Sequence, residues 1–105
     1  MSDEIVVLDE RVELTLGQLC ELAGVHAETA IALVEEGLID PLGDLTGGPA
    51  QWRFSGPTLG RLQGILRLQR DLSLDPCGAA MVLDLMDEVE QLRARLRALE
   101  ALLQE

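Results

Sequence analysis

The strongest constraint in this 105-residue chain is the apolar spacing of its last third, which ends LMDEVEQLRARLRALEALLQE. Val82, Val89, Leu96 and Leu103 recur every seventh residue, and Leu85, Leu92 and Leu99 repeat that spacing offset by three. An a/d seam over about three heptads belongs to a helix with one apolar stripe to cover. Asp75 and Pro76 suit an N-cap and a first helical position. Only Gly78 interrupts the helix formers after them. At ~1.5 Å per residue the rod reaches ~40 Å. Its flanks permit a parallel two-stranded coil, with Glu88 facing Arg93 and Arg95 facing Glu100 between copies. The alternative is a stripe that folds back on the N-terminal part of the chain, and the spacing leaves both open. Met81, Leu83, Leu85 and Met86 make the upper end apolar on more than one side, which predicts that this end packs against the rest of the chain.

Trp52 and Phe54 are the only aromatic residues, so the core is built from Leu, Ile, Val and Ala, the composition of a mainly α protein. The formal charge is −11, with no Lys. Before residue 60, Arg11 and Arg53 stand against eleven acids. Such a field repels phosphate backbones and anionic membranes and attracts basic surfaces; solubility alone is the plainer reading. Cys20 and Cys77 lack metal-type spacing and form no disulfide framework, which fits a reducing cytoplasm and no metal. Cys20 falls on an apolar stripe and reads as a small core residue. The sequence shows no basic-plus-apolar leader and no apolar run near ~20 residues, so neither secretion nor a membrane span is expected.

In chain order, Ile5 to Leu8 reads as a short strand that Asp9-Glu10 turns back. Val12 and Leu14 alternate with charged residues as a hairpin or edge strand. Thr15 and Gln18 form a capping box for a helix with Leu16, Leu19, Cys20, Leu22 and Ala23 on its apolar face, closed by Gly24. A second helix runs from about Ala27 to Glu36, with Ala30, Ile31, Leu33 and Val34 apolar; Gly37 ends it, and Leu38 and Ile39 lead out to Pro41. Two short helices joined by a Gly-Val corner make a helix-turn-helix. PLGDLTGGP reads as a loop and, with the extended Gln51-Trp52-Arg53-Phe54, as a wing whose two rings face the core. Ser55 or Gly56, with Pro57, opens a third helix to about Leu72. Leu59, Leu62, Ile65, Leu66 and Leu72 line one side of it, and Arg61, Arg67 and Arg70 lie elsewhere. Gly60 and Gly64, four residues apart, allow another helix to approach. The domain reading is 1–73 for the winged part and 74–105 for the terminal helix.

No catalytic constellation appears. There is one His and no Tyr or Lys. Ser55 has no base in sequence context, and no P-loop residues follow Gly47-Gly48. The reading is a non-enzyme without a cofactor.

The order of pieces TLGQLCELAG, VHAETAIALVEEGLIDP and WRFSGPTLGRLQGILRLQRDL resembles the winged-helix domain of MerR-type regulators, in which a long following helix forms a dimer coiled coil. The run LSLDPCGAAMVLDLMDEVEQLR resembles the signature of the CbpM family of chaperone modulators, through Leu74-Asp75, Gly78, Leu83 and Leu85-Met86-Asp87-Glu88-Val89. The similarity spans roughly residues 12 to 100. It implies a MerR-like winged helix-turn-helix domain followed by a long helix. It also implies binding to the J-domain of CbpA, a DnaJ-like co-chaperone associated with the nucleoid, whose co-chaperone and DNA-binding activities are then inhibited.

The charges agree with a protein partner rather than DNA. A DNA-reading helix needs Arg or Lys for phosphates and guanine edges. The second helix has no fixed cation and carries Glu28, Glu35 and Glu36, and the wing supplies only Arg53. An acidic helical surface suits the basic helix with which a J-domain docks on Hsp70. The candidate contacts are Glu28, Ile31, Glu35 and Glu36 on the second helix, or Asp84, Asp87 and Glu88 on the terminal one. The seam residues are the candidate dimer contacts. His26 stands where Ser or Thr is the usual cap and reads as a weak cap. The competing readings are a MerR-type transcription regulator and a dimerisation adaptor active only through its coil.

Overall fold

The computed structural model describes residues 8–104. Its elements are β1 (Glu13–Thr15), α1 (Leu16–Ala23), α2 (Ala27–Glu35), a single 3₁₀ turn (Pro49–Gln51), β2 (Arg53–Ser55), α3 (Gly56–Leu72) and α4 (Pro76–Leu103). The proposed strand at Ile5 to Leu8 falls largely outside the described residues. The turn after it is present: the Val12 amide donates to the Asp9 carbonyl at 3.3 Å, and the Arg11 amide and guanidinium both donate to the Asp9 carboxylate. Those bonds, the guanidinium's first and the amide's second, hold the Asp9 carboxyl below the usual carboxylate range.

The helix ends follow local chemistry. Gln18 N–H donates to Thr15 Oγ1 at 3.1 Å, while the Thr15 amide donates to Gln18 Oε1 at 2.9 Å. This reciprocal pair satisfies two of the donors that a helix start leaves without partners. Gly24 takes a left-handed conformation (φ 73°) and closes α1, as its missing Cβ permits. His26 caps α2 without a side-chain bond. Asp75 accepts the Gly78 amide at 2.6 Å, and Pro76 occupies the first turn of α4.

The small sheet is assembled across the chain. β1 pairs antiparallel with β2 in the wing, in the register Glu13↔Ser55, Leu14↔Phe54, Thr15↔Arg53. Leu14 and Phe54 therefore share the inward face, and both are buried. Trp52 packs edge-on against Phe54, with ring centroids 6.3 Å apart and planes at 86°. Both rings face the core, as the alternation around Arg53 predicts. The centre is completed by Leu19, Ile39, Leu59, Leu62 and Ile65, all fully buried.

Three details depart from expectation. Ile39, read as leading out of α2, is 0% exposed and sits in the core. Leu22 and Leu72, read as core-facing, are exposed; they lie at the margins of their helix faces. At the upper end of α4 the anchors are Ala79, Ala80 and Leu83, whereas Met81, Leu85 and Met86 point outward. Small side chains let α4 approach α3, so the bulky ones are left on the far side.

Candidate partner-binding surface

The surface is built from α2 and the first half of α4. On α2, Ala30 and Leu33 are buried and Val34 is half-buried, so the helix presents Ala27, Glu28, Thr29, Ala32, Glu35 and Glu36 outward. No cation lies on that exposed face. Ile31 is half-buried and packs against the core, so it offers only an edge. Arg53, the wing's one cation, donates to the Trp52 carbonyl at 3.0 Å.

The two acidic sets, read from sequence as alternatives, are neighbours. Cys77 Sγ lies 3.9 Å from Glu36 Oε2, which places the end of α2 against the first turn of α4. Two turns along, Asp84 is held by Arg61 of α3. The guanidinium gives Nη1 to Asp84 Oδ1 at 2.6 Å and Nε to the Leu38 carbonyl at 2.6 Å. Residues seven apart return to the same helix side. Cys77 and Asp84 therefore share one edge of α4, Glu88 continues it one turn on, and Asp87 lies beside it. Asp87 and Glu88 are exposed. Asp84 is exposed but carries an intramolecular ion pair. Sequence reasoning missed Arg61, for a partner 23 residues away leaves no local signal.

The heptad seam is on another side of the rod. Val82 is half-buried, and Leu85, Val89, Leu92, Leu96, Leu99 and Leu103 are exposed, Leu92 at 50% and Leu103 at 85%. At ~100° per residue the seam lies roughly opposite the Ala79, Ala80 and Leu83 face. The helix cannot dock by both sides on one domain, and the fold-back alternative is not adopted. Val82, Leu85, Met86, Val89, Glu90 and Arg93 line an open groove of about 350 Å³.

Other chemistry is sparse. Among the described residues no group of three or more His, Cys, Asp or Glu is placed to hold a metal ion. No described helix is long and apolar enough to cross a membrane. Cys20 is buried and Cys77 exposed, both as free thiols; burial pushes the Cys20 thiol up. The Trp52 Nε1 is buried and has no hydrogen-bond partner among the described residues.

The model of the MerR helix-turn-helix family of regulatory proteins matches residues 14–101, from β1 almost to the end of α4. The chain is 33% identical over 95 residues to the chaperone modulatory protein CbpM of Coxiella burnetii, covering 90% of this chain and 87% of that protein. It is 35% identical over 83 residues to the protein of the same name from Pseudomonas entomophila, covering 79% of each. The Pseudomonas putida protein of that name matches at 35% over 83 residues.

Proposed function

This chain belongs to the CbpM family of chaperone modulatory proteins, built on a MerR-type helix-turn-helix domain, and we propose that it binds the J-domain of a CbpA-type DnaJ-like co-chaperone. Binding withholds that J-domain from its Hsp70 partner and lowers the co-chaperone's activity, including its DNA binding. The observation that carries this reading is the outward face of α2, the helix that would read a DNA groove. It exposes Glu28, Glu35 and Glu36 and no cation. Carboxylates there oppose phosphate and attract the Lys and Arg of a basic helix. The contact surface is Glu28, Glu35 and Glu36, with the margin of Ile31, continued by Asp87 and Glu88. Steering by opposite charge makes association fast and the complex sensitive to salt. The role is one of binding rather than catalysis, exercised in the cytoplasm and at the nucleoid only through the partner.

The exposed seam supports a second element of the proposal, pairing of two copies through Val82, Leu85, Val89, Leu92, Leu96, Leu99 and Leu103. A row of exposed Leu and Val on one side of a rod leaves much apolar area in water, which association removes.

Titration calorimetry of the purified protein with a CbpA-type J-domain tests the reading. Saturable heat at micromolar concentrations and low salt, weakening as salt rises, is expected. No heat, together with retention on a DNA column at ~0.1–0.2 M salt, points instead to a MerR-type transcription regulator.

A further inference from the structure

α4 leaves the winged domain packed along α3. Ala79 and Ala80 are buried, and Leu83 packs on α3 beside Gly64. Arg61 then ties Asp84. From Asp84 to Gln104 every described residue is exposed, and among the described residues Leu83 and Asp84 are the last on the rod held by the core and by an ion pair to α3. Beyond them about 20 residues project ~28 Å, and a tilt of ~10° at Asp84 moves the tip by ~5 Å.

Arg61 joins three parts of the chain at this pivot. It stands on α3, donates Nε to the Leu38 carbonyl just after α2, and donates Nη1 to the Asp84 carboxylate. A guanidinium can do this because its donors diverge from one rigid plane; an ammonium of the same charge has no such fork. The Leu38 amide in turn donates to the Leu33 carbonyl at 2.9 Å, so the grip reaches the last turn of α2. We propose that Arg61 is a positioning residue that sets the angle of α4 against α2, so that Glu35 and Glu36 are continuous with Asp87 and Glu88. Asp84 is then a strut, its charge taken by Arg61, and not a contact for an incoming cation. The use of that continuous surface rests on the J-domain reading above; the angle itself does not.

The test separates the two. Spin labels are placed at Thr29→Cys on α2 and Ala98→Cys on the rod, in a Cys77→Ser background. Labelled protein is diluted in excess unlabelled protein, and the intrachain distance distribution is measured by pulsed dipolar spectroscopy. Arg61→Leu and Asp84→Leu are expected to broaden that distribution by several ångströms. Asp84→Asn, which keeps an oxygen for the guanidinium, is expected to stay narrow. Arg61→Lys, which keeps the charge and loses the fork, falls between. Calorimetry without labels is expected to show J-domain affinity falling about tenfold in Arg61→Leu, with Asp84→Asn retaining most of it. Unchanged distances in both leucine variants overturn the proposal. Equal loss of affinity in Asp84→Asn and Asp84→Leu overturns the strut assignment, because charge alone would then matter. If the wild type binds no J-domain, the function fails while the distances still decide the role of Arg61. Asp84 is a surface residue, so its variants remain informative if an Arg61 variant folds poorly.

Discussion

Leu83 turns both terminal methyl groups toward Gly64, each 3.1 Å from where a Cβ would stand on that glycine. One turn earlier on α3, a Cβ on Gly60 meets nothing within 4 Å. The two glycines, a matched pair in sequence, therefore differ in kind. Gly64 is the seat of α4, and Gly60 is a helical position with open space.

From this contrast, Gly64→Val is expected to destabilise by ~1–3 kcal/mol, the usual result of forcing volume into a packed contact. Gly60→Ala is expected to stabilise by up to ~1 kcal/mol, because alanine loses less backbone entropy in a helix. Urea unfolding of both variants checks the pair; equal and same-signed effects would contradict the contact.

Leu92 lies mid-seam and is half exposed within its own chain. If two copies share the seam, Leu92→Asp buries a carboxylate between them, and such a charge is strongly unfavourable without a partner. Light scattering is expected to show the wild type at twice the chain mass and the variant at the chain mass, with unchanged helical content in the winged part. A wild type that is monomeric at high micromolar concentration removes the coil from the proposal.

Glu35 and Glu36 are exposed at the end of α2, so reversing them disturbs little in the fold. Glu35→Lys with Glu36→Lys is expected to weaken J-domain binding about tenfold at low salt, mostly through slower association, since charges at an interface margin act on the encounter. Stopped-flow association rates at two salt concentrations measure this. An unchanged rate removes α2 from the interface.

The two thiols should behave oppositely. Cys77 is exposed and is expected to react promptly with a thiol reagent, whereas Cys20 is buried and should react only on opening of the fold. Burial raises the folded-state pKa of Cys20 above its ordinary value of 9.0. The folded chain therefore holds that proton longer than the unfolded chain. The stability this represents is whole below pH 9.0 and declines as pH rises through and beyond it. Unfolding at neutral and alkaline pH, with Cys20→Ala as the control that cannot titrate, is expected to show a shallower alkaline loss in the variant. Equal alkaline slopes would refute a buried thiol.

Much of this molecule is local and therefore readable. Thr15 with Gln18, Gly24, and Asp75 with Pro76 mark helix ends through bonds that span three or four residues. The period of seven shows α4 as an amphipathic rod before any contact is known. The acidity of α2 is equally plain. The family likeness also rested on contiguous runs, and the comparisons bore it out.

What had no local sign required residues far apart in the chain. β1 finds its partner some 40 positions away in the wing, a pairing that alternation alone cannot assign. Ile39 is core through membership of a buried cluster with Phe54, Leu59 and Leu62, residues distant from it in the chain. The side of α4 that docks was settled by size and geometry: Ala79, Ala80 and Leu83 fit against the glycine-bearing face of α3, and that contact turns the larger seam residues away. Arg61 reads as one of several helix arginines until folding brings the Leu38 carbonyl and the Asp84 carboxylate within reach of one guanidinium. Sequence alone determined the elements, their ends and the sign of the surface, because propensity, capping and charge act over a few residues. Only the tertiary structure decided which faces meet and where the rod points, because those follow from volume and hydrogen-bond geometry between distant parts of the chain.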